Sequence, residues 1–417
     1  MITFWLIIYN MLLPFLWLYF QFLSIFNFKV RQGIHGRKVS LKNVKIPENP
    51  VIIHSSSFGE YQQAIPIIEE LRKQNKNVIL TFFSPSGYNN AKIYDSGIQK
   101  FYLPFDFLRN VNKFLDYIKP AIIILIRYDL WFNFLYAARK KKIKVILANA
   151  RFDKNDIFWK LPFTRSFKKI IHSFIDNIFV INEFDEINYK EMLDKSKTEI
   201  VKLGDSKFER VQQFSKNIEI KNILPENIIK EKKVFVIGSS WKDDEDFVLP
   251  VINKIIEERT DLLTVLVPHE PKETKIKAIE KNIYNEYRNI KTIRYSEIEK
   301  YNGENLIIVD SVGKLMAFYS ISYFSYVGGG FRTGLHNILE PVAFNVPVFF
   351  SNKCKNSDED ELIIKFKCGI ITEDKKKFYS DFKELLTNPE TRNNYSNNCM
   401  KVFDNTYGVA KNIVENI

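Results

Sequence analysis

Short apolar runs, each followed by an amphipathic stretch of helical period, recur in two separate parts of this chain, and that alternation restricts the fold more than any single residue does. In the first part, residues 51–53 precede 60–73, 78–83 precede 87–94, 121–126 precede 131–140, 145–148 follow, and 178–181 precede 183–193. After a polar, lysine-rich stretch from Gln212 to Lys232 the pattern resumes with apolar runs at 234–237, 262–267, 306–309, 323–327 and 346–350. Uninterrupted apolar runs of this length are strands buried on both faces, and helices of crossover connections must cover them. The reading is α/β, with two Rossmann-like domains. A chain of 417 residues also exceeds what one core usually serves, so two domains of roughly 150–200 residues are expected. The expected boundaries are 1–28, 29–211, 212–232 as a linker, and 233–417.

Residues 2–28 carry no charge and hold Phe4, Trp5, Phe15, Trp17, Tyr19, Phe20 and Phe22 among leucines and isoleucines. That run is long enough to span a bilayer. Lys29, Arg31, Arg37, Lys38, Lys42 and Lys45 follow before the first acid, Glu48, which places the rest of the chain on the cytoplasmic face. The run has no basic leader and no Ala-x-Ala-like site, which argues against a cleaved signal peptide. Asn10, Pro14 and Gln21 interrupt a straight span and are compatible with a helix lying in the interface. A single anchor on the inner membrane is the expectation, spanning or interfacial.

A net charge of +12 implies anionic partners, whether nucleic acid, anionic lipid or phosphorylated glycolipid. No nucleic-acid-binding signature is present, and nucleic acid is not an expected partner. Cys354, Cys368 and Cys399 lack metal-ligand spacing, five histidines are scattered, and no aspartate cluster offers a divalent site, so neither metal nor cofactor is expected.

Ligands of open parallel sheets sit beyond the carboxyl ends of the strands, which directs attention to the loops there. In the first domain the loop is His54-Ser55-Ser56-Ser57-Phe58-Gly59-Glu60, in which Gly59 opens a helix on a tight turn. Glu60 is either a first-turn acid complementing the helix dipole or a carboxylate presented to a substrate. In the second domain, Ser239 follows the first run, Pro268 and His269 the second, and Val312, Gly313 and Lys314 the third. Gly328-Gly329-Gly330 follows the fourth, ahead of a short helical stretch ending near Asn345. Glycines there let backbone N–H groups close on phosphate, and the helix start adds oriented donors. Glu340 then either accepts from sugar hydroxyls or forms a capping-box-like pair with Asn337. Neither a dinucleotide fingerprint nor a P-loop occurs at the right place.

Gly-Gly-Gly-x(6)-His-Asn-x-x-Glu-Pro-x-x-Phe-x-x-Pro-Val, from Gly328 to Val348, resembles the carboxyl-domain signature of the 3-deoxy-D-manno-octulosonic acid (Kdo) transferases of the lipopolysaccharide inner core. Ser57-Phe58-Gly59-Glu60 is similar to that family's Ser-Val-Gly-Glu, Asp129-Leu130-Trp131-Phe132-Asn133 to Glu-Leu-Trp-Pro-Asn, and Leu203-Gly204-Asp205-Ser206-Lys207-Phe208 to Leu-Gly-Asn-x-Lys-Phe. Asn149-Ala150-Arg151 is identical to the family's Asn-Ala-Arg, and Gly238-Ser239-Ser240 and Pro268-His269-Glu270-Pro271 complete a collinear set.

The resemblance implies the GT-B architecture, two domains facing across a cleft, with a last helix crossing back to the first. It implies inverting transfer of Kdo from CMP-Kdo to a lipid A precursor, with Glu60 as base and Asp129 and Lys207 as transition-state stabilisers. Ser57, Gly59 and Arg151 fall on the acceptor side. Ser239, Pro268, His269, Val312, Gly313, Lys314, Gly329, Gly330, Asn337, Ile338, Leu339 and Glu340 fall on the CMP side. Two departures stand out: the family's acid at 129 is shortened to Asp, and its preceding acid is replaced by Arg127. Two rival readings are a membrane-surface GT-B enzyme using a UDP-sugar and a non-catalytic, membrane-tethered binding protein.

Overall fold

The computed structural model describes residues 1–39, 44–93, 95–153, 156–217, 223–332, 334–351, 353, 359–404, 406 and 408–417. Lys42, Tyr94, Cys354 and residues 218–222 of the lysine-rich stretch lie outside them. The chain forms two compact units, Met1–Arg210 together with Gly408–Ile417, and Val211–Tyr407.

The first unit is built on a parallel sheet of β1 (Val51–Ser55), β2 (Val78–Phe82), β3 (Gln99–Tyr102), β4 (Ile122–Ile126), β5 (Lys144–Ala150), β6 (Asn177–Val180) and β7 (Glu199–Lys202). Its order is β3-β2-β1-β4-β5-β6-β7, with Val51 opposite both Val78 and Ile122. The chain therefore winds outward from β1 in one direction and from β4 in the other. That reversal opens a crevice at the carboxyl ends of β1 and β4, where ligands of such sheets bind. The central strands are buried on both faces, which is why they read as apolar runs without alternation. One face of the sheet packs Ile53, Leu80 and Ile124 against helix Phe58–Lys73 and the last helix, Val409–Glu415. Val409, Ala410, Ile413 and Val414 are buried there, and Glu209 accepts the Ala410 N–H at 2.9 Å, so the chain's end is a core element of the first unit.

The second unit repeats the plan with β8 (Lys233–Ser240), β9 (Leu262–Pro268), β10 (Thr292–Arg294), β11 (Leu306–Ile308), β12 (Phe324–Val327), β13 (Val348–Phe350) and β14 (Gly369–Ile371). The order is β10-β11-β9-β8-β12-β13-β14, all parallel, with the reversal between β8 and β12. Helices Lys242–Glu258, Glu273–Glu286 and Lys375–Thr387 cover one face through Phe247, Ile276, Phe378 and Phe382.

The edge strands β3, β10 and β14 were not expected from the sequence. Each is three or four residues long and incompletely buried, so its apolar signal is too short to stand out. The stretch after Gly330 also differs from expectation: helix is confined to Leu339–Val342, and 334–337 have no regular structure.

Helix α1 (Ile2–Phe26) is the one described helix long and apolar enough to cross a membrane. It has two apolar faces. Phe4, Ile7, Met11, Phe15, Leu18, Phe22 and Ile25 form an exposed stripe at helical spacing. The other face docks on the first unit, burying Trp5 and Leu13. Trp5 Nε1 donates to Ser166 Oγ at 3.3 Å, Tyr9 Oη to Asp106 Oδ2 at 2.8 Å, and Asn10 exchanges amide hydrogen bonds with Asn133 at 3.1 and 2.9 Å. Phe20 meets Phe83 and Phe105 edge-on. Pro14 lies inside the helix without ending it.

Candidate active site

In the first unit β1 delivers the chain to Ser57, whose extended backbone (φ −126°, ψ 171°) caps helix Phe58–Lys73. Ser57 Oγ accepts the Glu60 N–H at 3.4 Å, and the Glu60 carboxylate accepts the Ser57 N–H at 2.9 Å. This reciprocal capping box fixes the position of the Glu60 side chain. Burial raises the Glu60 pKa, the Ser57 N–H draws it back in part, and the negative charge of Asp129 pushes it up again. Gly59 makes no tight turn: it lies inside the first helical turn, and a Cβ there would meet Ser57 Oγ at 3.9 Å, an ordinary contact.

Asp129 follows β4 and is reached from β1 by His54, a fully buried residue absent from the sequence-based candidates. His54 Nε2 lies 2.7 Å from Asp129 Oδ2, and Nδ1 lies 2.9 Å from Thr81 Oγ1. Burial pushes the Asp129 carboxyl up, but the hydrogen bond and charge of His54 outweigh it and hold it below its ordinary value. Two neighbouring carboxylates are thus driven in opposite directions. His54 sits on β1 just ahead of the serine run, and only the β1–β4 pairing shows what it holds.

Lys207 begins on the far side of the sheet, after β7, yet its segment is drawn back to the Glu60 helix. Ser206 Oγ donates to the Gln63 carbonyl at 2.6 Å and accepts from Asn149 Nδ2 at 2.7 Å. The Lys207 N–H donates to Asp205 Oδ1 at 2.8 Å, and Asp205 Oδ2 pairs with Arg127 at 3.0 Å. Arg127, the departure from the family pattern, therefore has a carboxylate partner on the Lys207 loop. Arg151 follows β5, and its carbonyl accepts Tyr189 Oη at 3.1 Å.

In the second unit the Gly328–Gly330 turn leaves β12 beside the end of β8. Gly329 has φ +94°, and a Cβ on Gly330 would stand 1.6 Å from the Ser351 carbonyl oxygen, so both positions require glycine. The turn is held by Asp244, which sequence reading missed. Its carboxylate accepts the N–H groups of Gly329 and Trp241 and the Tyr326 hydroxyl, each at 2.9 Å. The Trp241-x-x-Asp244 spacing ahead of an apolar helix carried this signal. The oriented donors around the turn come from a folded-back loop, closed by His336 N–H to the Gly328 carbonyl, rather than from a long helix.

His269 and His336 stack at 4.3 Å, with Trp241 over His269 at 4.7 Å and Trp241 Nε1 donating to His336 Nε2 at 3.0 Å. Burial holds both imidazoles below their ordinary value, His336 at about 4, so they are neutral at pH 7. Pro268 ends β9, and the His269 N–H donates to the Ser240 carbonyl next to Ser239, which is itself left-handed (φ +52°). Asn337 does not cap the helix at Leu339. Its Nδ2 donates to Glu340 Oε1 at 3.1 Å, while Ile338 occupies the cap position and Leu339 is buried. Val312, 79% exposed, precedes the left-handed Gly313, and Lys314 caps helix Leu315–Ser320. Among the described residues no group of three or more His, Cys, Asp or Glu is placed to hold a metal ion.

The family described as 3-Deoxy-D-manno-octulosonic-acid transferase (kdotransferase) matches residues 28–210. The 3-deoxy-D-manno-octulosonic acid transferase of Rickettsia prowazekii is 28% identical over 363 residues, covering 85% of this chain and 76% of its own length. That of Haemophilus influenzae is 25% identical, covering 83% and 81%. Over residues 28–210 the chain matches the Kdo transferase family, and with these relatives it is a glycosyltransferase. A bifunctional glycosyltransferase/methyltransferase of Fusobacterium nucleatum is 26% identical over 88% of the transferase chain, which spans 57% of that relative's length. In fold alone, the chain is similar to a UDP-GlcNAc 2-epimerase from Neisseria meningitidis (TM-score 0.61, 15% identity, 88% of this chain and 98% of that one). It is likewise similar to a glycosyltransferase from Rickettsia africae (TM-score 0.57, 11% identity, 88% and 97%). The two seven-stranded α/β units of the transferase are thus GT-B-like.

Proposed function

We propose that this transferase moves Kdo from CMP-Kdo to a hydroxyl of a tetraacyl lipid A precursor, with inversion, on the cytoplasmic face of the inner membrane. The observation that carries the reading is the Glu60–Asp129 pair at the carboxyl ends of β1 and β4. One carboxylate is held by a capping box with its pKa raised, and the other is kept ionised by His54. Glu60 takes the proton of the acceptor hydroxyl, which contributes roughly 10²–10⁴-fold, and Asp129 stabilises the positive charge developing on the sugar. The second unit binds CMP beside the Gly328–Gly330 turn, and Glu340 accepts from the ribose hydroxyls. Lys207 supplies a positive charge to the transition state, and the reading invokes no metal. The basic surface and α1 suit an anionic glycolipid.

Incubating the full-length protein in detergent with CMP-Kdo and the tetraacyl precursor tests the reading. Mass spectrometry should show the acceptor gaining Kdo, and NMR of the new linkage an inverted anomeric centre. Competition by UDP but not by CMP would favour the UDP-sugar reading, and donor binding with no turnover under any acceptor would favour a binding protein.

A further inference from the structure

Beneath α1 lies a cavity of about 950 Å³, at the upper end of the roughly 300–1,000 Å³ typical of ligand sites. We propose that it receives a fatty-acyl chain of the lipid acceptor, which makes α1 a wall of the acceptor site as well as an anchor. The inference rests on the acceptor reading above and adds the place where the lipid part binds.

Three observations carry it. First, α1 touches the unit from Trp5 to Phe20, some 22 Å along its axis at 1.5 Å per residue. A helix docked over that length cannot stand alone across a bilayer without taking the domain with it. It lies along the domain with the Phe4-to-Ile25 stripe toward lipid. The cavity is therefore beside the membrane face, under the helix that meets it.

Second, the wall is apolar where it nears α1 and polar at its other end. Trp5, Ile8 and Leu12 of α1 face Phe163, Phe167 and Ile171 of helix Pro162–His172, a surface suited to methylene groups. The polar end carries Arg127, Arg151 and Lys168 against Asp153 and Asp156, with Arg127 paired to Asp205 and Lys168 to Asp156. An amphiphile with a polar head matches that division.

Third, Tyr128 and Leu130 line the cavity and flank Asp129, whose own side chain turns to His54. A chain seated in the cavity would bring its head group to the end of β4, beside the carboxylate pair. A tether of this kind raises the effective concentration of the acceptor hydroxyl at Glu60.

The test titrates full-length protein in mild detergent with cis-parinaric acid, a fluorescent fatty acid. The tetraacyl acceptor, its fully deacylated form and phosphatidylglycerol serve as competitors. Ile8→Trp and Thr164→Trp fill the cavity from two different helices; Met11→Ala, on the outer face of α1, is the control. Thermal melts show which variants fold, so either filling variant suffices. Saturable probe binding displaced by the tetraacyl acceptor is expected. Each filling variant should weaken both the probe and the KM for the tetraacyl acceptor by about tenfold or more. KM for the deacylated acceptor should not change, and Met11→Ala should bind the probe as wild type does. Absent probe binding, equal displacement by phosphatidylglycerol, or folded filling variants that bind as wild type would each overturn the proposal. Failure of transfer to either acceptor, with probe binding still lost in the filling variants, would refute the transfer reading and leave the acyl pocket standing.

Discussion

Replacing Glu60 by Gln separates the two jobs that this side chain holds. Gln keeps the length and an oxygen for the Ser57 N–H at 2.9 Å, and capping boxes accept Gln in place of Glu, so the helix start should change by only a few tenths of a kcal/mol. What disappears is a buried negative charge. The folded-state pKa of Glu60 lies above its unfolded value of about 4.3, so the fold favours the protonated form. Below the unfolded value both states are protonated and nothing is at stake; above the folded value the fold carries the cost of the ionised group. Wild-type stability should therefore fall as pH rises through that interval, and Glu60→Gln should escape the loss, melting at or above wild type at pH 8. Turnover should move the other way. Without a proton acceptor, kcat should drop by about 10²–10⁴, equivalent to about 2.7–5.4 kcal/mol of barrier, while the CMP-Kdo KM stays within about twofold. Steady-state kinetics beside melts at pH 4 and pH 8 give both readouts. A variant that melts lower and turns over normally would refute the base and leave Glu60 as a cap.

Asp129→Asn should lower kcat, and wild type should lose stability more steeply than the variant as pH falls through the depressed Asp129 pKa, a difference that acid titration of the melts measures. Asp244→Ala leaves three donors, two of them buried, without their acceptor and should cost roughly 3 kcal/mol or more by denaturant unfolding, with Asp244→Asn recovering part of it. The His336 imidazole contributes stability that is complete above its unfolded pKa of about 6.5 and declines as pH falls toward about 4. His336→Gln should flatten the melting profile across that window. Tyr9→Phe removes one of three donors to the buried Asp106 carboxylate, whose pKa burial raises to about 7, and should destabilise by about 1–2 kcal/mol in thermal melts at pH 8. Unchanged stability would mean that α1 is only loosely held.

The residue order alone determined two parallel α/β units and the strand-end loops that hold the candidate residues. Strands such as β1, β4 and β8 are buried on both faces, and burial leaves an apolar run that needs no partner to be seen. The local pattern Ser57-x-x-Glu60 likewise contained its own capping geometry. The edge strands β3, β10 and β14 were not legible, because a short strand with one free edge is defined by its neighbour rather than by its own apolarity. The long-range pairs were not legible either. His54 to Asp129 spans 75 positions, Arg127 to Asp205 spans 78, and Asp244 to Gly329 spans 85, and each needs the sheet order to bring its partners together. The same holds for α1. Composition marks it as a helix for lipid, but that half of it faces Asp106, Asn133 and Ser166 depends on where the fold places those acceptors, since a helix apolar on all sides does not state in its sequence which side the protein covers.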